Sequence, residues 1–327
     1  MKLSIIILSW NSRDLLKDCL ESIDKHGGYE IIVVDNGSTD DSIKVVRNFQ
    51  FSNPNFQIKL IKNKKNLGFA KGNNQGIKIA TGKYILLLNS DTVVKKGALK
   101  KLAEYLEKNQ DVAAVSPMLL NPDGSKQIDY YMRLPNLWQI IFYHSILLRP
   151  LIMKTPLKRL IVSSPDSSNS AFVVDQLPGA ALMASKKVFE TTDGLDEDYP
   201  FLFEDVDWCY RVRQENLGKL MVFPQVEIIH LGGGSWKKWL RGDRLGFYQH
   251  YFRSLLLFVE KHHSSRLFLF KLALGITFLN NALTHLLFLN FKKSKVQASL
   301  LLWILGKRSV DRSKTSRIDE PDKIKPR

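Results

Sequence analysis

The chain has 327 residues, 44% hydrophobic and 24% charged, a globular composition that excludes a disordered or collagen-like chain. Its formal charge of +16 points to an anionic partner, whether nucleic acid, lipid headgroup or phosphorylated small molecule, and does not choose among them. The two cysteines, Cys19 and Cys209, have no C-x-x-C spacing, which argues against a disulfide framework or zinc ribbon; they read as small core residues in a reducing compartment.

Met1-Lys2 followed by Leu3 to Trp10 is too short for a signal peptide and has no small-residue cleavage site, so it reads as a first strand and the expected compartment is the cytoplasm. The isoleucine-rich run Leu3 to Leu8 is patterned for a strand buried on both faces. A helix follows with Leu15, Leu16, Cys19, Leu20 and Ile23 on one face. Tyr29 to Val34 is a second strand, Ser42 to Phe49 a short helix, and Phe56 to Ile61 a third strand. Ala70 to Ala80 is helical, with Thr81-Gly82 placed as a C-cap. Tyr84 to Leu88 is a fourth strand, Leu99 to Leu106 a helix, and Val112 to Val115 a fifth strand. Such alternation predicts an α/β fold with a mainly parallel sheet.

The turn signal Asn121-Pro122-Asp123-Gly124 predicts a hairpin over Met118 to Tyr130. Residues 134–168, broken by Pro135, Pro150, Pro156 and Pro165, read as an insertion. Strand-like runs at Leu177 to Ser185, Met221 to Phe223 and Val226 to Ile229 return to the sheet, with a helix over Glu204 to Glu215. The expected organisation is a main domain over 1–235, a helical region over 236–306 and a disordered basic tail over 307–327. Within the helical region, Leu267 to Phe291 is strongly apolar, yet Lys271, Asn280, Asn281 and His285 are costly at a bilayer centre. Flanked by Arg266, Lys292, Lys293 and Lys295, it reads as a helix on a membrane surface, with a packed helical subdomain as the alternative.

Ligands of open parallel sheets bind beyond the carboxyl ends of the strands. Two such ends carry polar runs here: Asp35-Asn36-Gly37-Ser38-Thr39-Asp40 and Asn89-Ser90-Asp91. Either alone matches an ordinary turn. An acid there can accept from a ribose hydroxyl or a base N–H, but beside a diphosphate it needs a divalent cation between. A third cluster is Glu204, Asp205 and Asp207 at a predicted helix start. The helix dipole and an Asp207–Arg211 pair account for part of it. Carboxylates among Tyr199, Phe201, Phe203 and Trp208 also fit a general base with raised proton affinity. His230 ends a strand before three glycines that permit close backbone approach to a phosphate. No Walker loop or dinucleotide fingerprint is present.

These elements resemble glycosyltransferase family 2, inverting enzymes of the GT-A fold. The resemblance runs from Leu3 to about Lys261. It rests on Ser4 to Ile7 with Trp10-Asn11, Val33 to Asp40, Asn66 to Ala70, Leu88 to Thr92, Gly194 to Glu197, Phe203 to Asp207, and His230 with its glycines. The most similar branch is the bacterial rhamnosyltransferase-like one, which builds cell-surface polysaccharides and lipid-linked precursors. The resemblance implies donor binding by Ser9, Asn11, Asp35, Asn36, Gly68, Asn89 and Ser90. It implies Mg²⁺ or Mn²⁺ on Asp91 and His230, with Asp205 as catalytic base and Glu204, Asp207 and Trp208 on the acceptor side. The donor would be a nucleotide-diphosphate sugar such as dTDP-rhamnose or a UDP-sugar. The acceptor would be a glycan or lipid-linked precursor at the inner face of the cell membrane, with no nucleic acid involved. Asn89 replaces the first acid of the family's D-x-D motif, and the Q-x-x-R-W motif of processive synthases is missing, which favours single additions. Alternatives are an inactive GT-A scaffold, a sugar nucleotidyltransferase, which would need a Gly/Lys-rich loop in place of Ser9 to Arg13, and a nucleic-acid-binding protein.

Overall fold

The computed structural model describes residues 2–24, 27–54, 56–163, 170–200, 202–232, 240 and 242–306. The expected tail over 307–327, the glycines at 233 and 234, the Trp236 to Trp239 stretch, Phe201 and residues 164–168 of the insertion lie outside the described residues.

The chain divides into two compact units, the first made of Met1–Met132, Pro165–Glu197 and Glu204–Gly232. Its chain order is β1 (Leu3–Ser9), α1 (Arg13–Ser22), β2 (Glu30–Asp35), α2 (Ser42–Ser52), β3 (Gln57–Lys62), α3 (Phe69–Ile79), β4 (Tyr84–Asn89), β5 (Thr92–Val94), α4 (Ala98–Lys108) and β6 (Val112–Leu120). After the segments of the second unit come β7 (Phe172–Val173), β8 (Ala181–Ser185), α6 (Lys186–Thr191), α7 (Glu204–Gln214) and β9 (Lys219–His230). They form one sheet in the order β3-β2-β1-β4-β8-β6-β9-β5, with β7 beside β9. The β3-β2-β1-β4 half is parallel, whereas β8 runs antiparallel to both β4 and β6.

Hydrophobic runs explain the parallel half. Ile5, Ile6 and Ile7 are fully buried, because helices cover both faces of β1; truncating one such side chain typically costs about 2–5 kcal/mol. The glycines of α3 let it sit directly on β1: a Cβ at Gly72 would fall 2.4 Å from Leu8 Cδ1, and one at Gly76 2.5 Å from Ile6 Cγ2.

Several local expectations change. Helix α3 ends at Ile79 with Ala80 as its cap, so Gly82 is not a C-cap. A Cβ at Gly82 would lie 2.6 Å from the Ser4 backbone nitrogen, and close approach is what demands glycine there. The expected hairpin over Met118 to Tyr130 shrinks to a single bridge, Leu120 to Lys126, followed by a 3₁₀ turn over Ile128–Tyr130. The two predicted runs around Pro224 are one strand, β9. A register shift in its pairing with β6, between Pro117 and Met118, accommodates both prolines. The three residues of β5 gave too short a pattern to read.

The second unit comprises Arg133–Ser164, Asp198–Phe203 and Gly233–Arg327. Its helices are α5 (Leu148–Ile152), α8 (Arg244–His262), α9 (Leu267–Leu287) and α10 (Phe291–Gly306). Segment 133–163, expected as an insertion of the main domain, belongs to this helical unit. Among the described residues, the helix over Ser264–Leu287 is long and apolar enough to cross a membrane by length and composition.

Candidate active site

The parallel register brings the strand ends together: Ser9 lies opposite Asp35, and Leu8 opposite Asn89. At the end of β2, Asp35 is 2% exposed. Its Oδ2 accepts from the Ser38 backbone N–H at 3.2 Å, while its buried Oδ1 has no partner. A buried carboxylate oxygen left unpaired is costly, so this atom is suited to an incoming N–H or O–H donor.

Asn36 was expected to bind the donor, but its polar atoms are used within the chain. Its Nδ2 donates to Asn66 Oδ1 at 2.8 Å and to the Gly68 carbonyl at 3.1 Å. Its Oδ1 accepts from Asn63 Nδ2 at 3.1 Å and from the Leu67 backbone N–H at 3.0 Å. Buried and saturated, it fixes the loop carrying Gly68, whose φ of 88° suits glycine at the entrance to α3. Asn11 likewise ties two loops together: its N–H donates to Ser38 Oγ at 3.0 Å and its Oδ1 accepts from the Thr39 N–H at 2.8 Å. Its side chain is exposed. Ser9 is fully buried, and its hydroxyl starts a chain to Ser12 at 2.9 Å and on to Ser90 at 3.1 Å. Ser12 was not singled out from sequence, since a serine before a helix reads as an ordinary cap; here it makes no side-chain cap bond.

Asp91 and His230 are far apart in the sequence and the sheet brings them together: Thr92 of β5 pairs with His230 of β9, and the Leu231 N–H donates to the Asp91 carbonyl at 2.9 Å.

 The His230 Nε2 lies 3.3 Å from Asp91 Oδ1. On the other side of the ring, Nδ1 lies 2.9 Å from Gln127 Oε1. The amide of Gln127 is itself oriented, since its Nε2 donates to the His230 carbonyl at 2.7 Å and to Asn121 Oδ1 at 2.9 Å. With the amide oxygen facing it, Nδ1 must carry the proton, and in the neutral ring the Nε2 lone pair then points at a carboxylate oxygen. Two acceptors at that distance are reconciled by a proton on Nε2 or by a cation between them, and a nitrogen and an oxygen ligand fit a divalent metal. Among the described residues no group of three or more His, Cys, Asp or Glu side chains is placed to hold a metal. Asn89 stands where a further acid would be needed, so additional ligands would have to come from a bound phosphate or from water.

The third carboxylate is reached through the loop before β8. The Asn89 N–H donates to the Ala180 carbonyl at 2.9 Å, and the neighbouring Gly179 N–H donates to Asp205 Oδ2 at 2.8 Å. Asp205 therefore sits next to the β4 end, in the first turn of α7. Its Oδ1 accepts from the Val206 N–H at 2.9 Å. Burial raises its proton affinity, and the Gly179 and Val206 amides oppose that rise. Burial also raises Glu204, with the charges of Asp205 and Asp207 adding to it. Just ahead of them, Leu202 and Phe203 adopt positive φ of 59° and 74°, a conformation that costs energy for side chains of this kind.

Asp207 and Trp208 are not placed to meet an acceptor. Asp207 is fully buried and pairs with Arg211 Nε at 2.7 Å. Trp208 is fully buried too, stacks on Phe189 with centroids 4.9 Å apart, and donates from Nε1 to Thr192 Oγ1 at 2.8 Å. Helical spacing puts Asp207 and Trp208, three and four positions beyond Glu204, on the same inward face as that residue. Glu204 is 5% exposed.

The fold is that of the GT-A-like α/β transferases. A mannosyltransferase from Pyrobaculum calidifontis, solved with GDP-mannose and Mn²⁺, superposes with a TM-score of 0.54 at 14% identity over 92% of this chain and 87% of its own. GalNAc-T7, solved with UDP, GalNAc and Mn²⁺, gives 0.52 at 17% identity over 70% of this chain and 44% of its own. Residues 4–157 match the family described as Glycosyl transferase family 2. The low-salt glycan biosynthesis hexosyltransferase Agl10 of Haloferax volcanii is 27% identical over 66% of this chain and 62% of the relative. The poly(ribitol-phosphate) beta-glucosyltransferase of Bacillus spizizenii is 36% identical over 34% of this chain and 18% of the relative. The chain thus matches less than two thirds of the length of either relative.

Proposed function

We propose that the protein is an inverting glycosyltransferase moving one sugar from a nucleoside-diphosphate donor to a hydroxyl of a cell-surface glycan or lipid-linked precursor. We place it at the cytoplasmic face of a membrane. The observation that carries this reading is the gathering, at one end of the sheet, of the orphan Asp35 oxygen, the Asp91–His230 pair and the Asp205 carboxylate.

In this reading Asp35 Oδ1 accepts an N–H or O–H of the nucleoside. Asp91 and His230 would hold Mg²⁺ or Mn²⁺, which when bound neutralises charge on the diphosphate leaving group. Asp205 receives the proton of the acceptor hydroxyl. As the acceptor oxygen bonds to the anomeric carbon, the bond from that carbon to the diphosphate oxygen breaks, with inversion. Raised proton affinity suits Asp205 to this task, because a base must bind the proton it removes. Its two backbone amides hold the carboxylate in orientation while leaving lone pairs open. A hexosyltransferase of glycan biosynthesis and a poly(ribitol-phosphate) glucosyltransferase among the relatives support the substrate class, and dTDP-rhamnose and UDP-sugars are the donors to try first.

Thermal melts with dTDP, UDP, GDP and CDP, each with Mn²⁺ or chelator, test the donor site. One nucleotide at 100 times its Kd should stabilise the protein by about 2.7 kcal/mol, and chelator or Asp91→Ala should abolish the effect. Asp205→Asn should lower turnover by roughly 10²–10⁴ while the nucleotide shift persists. Absence of any nucleotide effect would leave an inactive scaffold as the better description.

A further inference from the structure

Helix α9 is apolar outside as well as inside, and its inner face carries three polar residues among Phe270, Ala273, Leu274, Phe278 and Ala282. A surface helix of a water-soluble protein turns its apolar stripe inward and its polar residues outward. Here Thr277, Asn281 and Thr284 are buried and satisfied within the second unit. Asn281 Nδ2 donates to the His144 carbonyl at 2.8 Å, and its Oδ1 accepts from the Ile146 N–H at 3.0 Å. The Thr284 hydroxyl donates to the Asn280 carbonyl at 2.7 Å. The outer face carries Phe268, Leu272, Ile276, Leu279, Leu283 and Leu287, each between 46% and 81% exposed. Their spacing of three and four residues keeps them on one side, along roughly 29 Å at 1.5 Å per residue. Apolar faces of this extent mark an interaction surface.

The charge around the stripe says what covers it. Arg266 is exposed just before α9, and Lys292, Lys293 and Lys295 are exposed just after it. Across residues 133–163 and 242–306 there are thirteen lysines and arginines but only two acids, Asp243 and Glu260. A second copy of the chain would bring the same cations against these, whereas anionic headgroups complement them. A bilayer-spanning placement is disfavoured by Lys271, Asn280 and His285 of α9, which are costly at a bilayer centre.

We propose that α9 lies in the plane of an anionic leaflet, with the Phe268 to Leu287 stripe at the headgroup–acyl boundary and the flanking cations on the headgroups. This deepens the membrane placement proposed above but does not depend on the transfer chemistry, so the two can fail separately. The test uses the full chain, sedimented with phosphatidylcholine vesicles with and without phosphatidylglycerol. The wild type should bind the anionic vesicles preferentially. The variant Leu272→Gln/Ile276→Gln/Leu279→Gln, which alters only outward side chains, should bind at least about tenfold more weakly while keeping the wild-type melting temperature. Equal binding by the variant, or no binding by the wild type, overturns the proposal. So does a wild-type dimer that the variant converts to monomer without any vesicle effect. Retention of the wild type in bacterial membranes after alkaline carbonate washing would point instead to a spanning helix.

Discussion

The Gln127 amide donates to the His230 carbonyl while its oxygen faces His230 Nδ1, so one buried side chain sets both the position and the tautomer of the histidine. Gln127→Leu removes both bonds. Partners of this kind typically contribute 10–100-fold in metal affinity, so Mn²⁺ affinity, followed by the paramagnetic resonance of free Mn²⁺, should fall by roughly that factor. Nitrogen-15 shifts of His230 in the metal-free protein should show mixed tautomers; unchanged shifts and affinity would remove Gln127 from the site. Glu204 is the second residue with a distinct prediction. Burial and the neighbouring acids raise its proton affinity in the folded state. The folded state then holds the proton more tightly than the unfolded chain, so the stabilising effect is full at low pH. It is lost as pH rises through the raised folded value. Glu204→Gln stays neutral throughout. Its melting temperature should exceed that of the wild type by a margin that widens as pH rises above the ordinary carboxylate range; a constant margin would refute the assignment.

At the level of elements, the turn from α3 into β4 is clamped onto the starts of β1 and β2. Glu30 is buried and pairs with Lys59 at 2.7 Å, accepts from the Thr81 N–H at 2.8 Å, and bonds the Ser4 hydroxyl. That hydroxyl also accepts from the Gly82 N–H at 2.8 Å. Burial by itself would raise Glu30, but Lys59, Ser4 and Thr81 outweigh it and bring it down to about 2. Gly82 is locked between this cluster and the β1 backbone, so Gly82→Ala should cost about 1–3 kcal/mol in urea unfolding with nucleotide binding intact. Gly82→Asn should be at least as damaging, because close approach and not a left-handed turn is at stake; a tolerated asparagine would restore the C-cap reading. The same contrast runs through the other elements. Continuous aliphatic runs made β1, β2 and β4 legible, whereas β5 and the return from β6 are set by pairing with β9, more than a hundred residues away.

Across the whole molecule, the positive charge seen in the sequence is unevenly shared. Residues 133–163 and 242–306 carry thirteen lysines and arginines against two acids, beside an apolar surface that a composition count cannot locate. Segment 133–163 reads from sequence as an insertion because prolines interrupt it, but it packs with the helical unit. The polar residues of α9 argue against a spanning helix in sequence; the fold gives Asn281 partners in that segment and leaves an apolar face outward.

Local chemistry, as written in the sequence, determined much of this protein. Strand–helix alternation specified an α/β sheet, and acids at two strand ends and one helix start marked Asp35, Asp91 and Asp205 as candidate groups. Tertiary structure decided how the neighbouring residues are held: it buries Asn36, Asp207 and Trp208 with partners inside the chain, and it sets Gln127 against His230, Ser12 against Ser90 and Gly179 against Asp205. The physical reason is that an apolar run and the acid that follows it are local features of the chain, whereas a hydrogen bond between Gln127 and His230 exists only once β6 and β9 lie side by side.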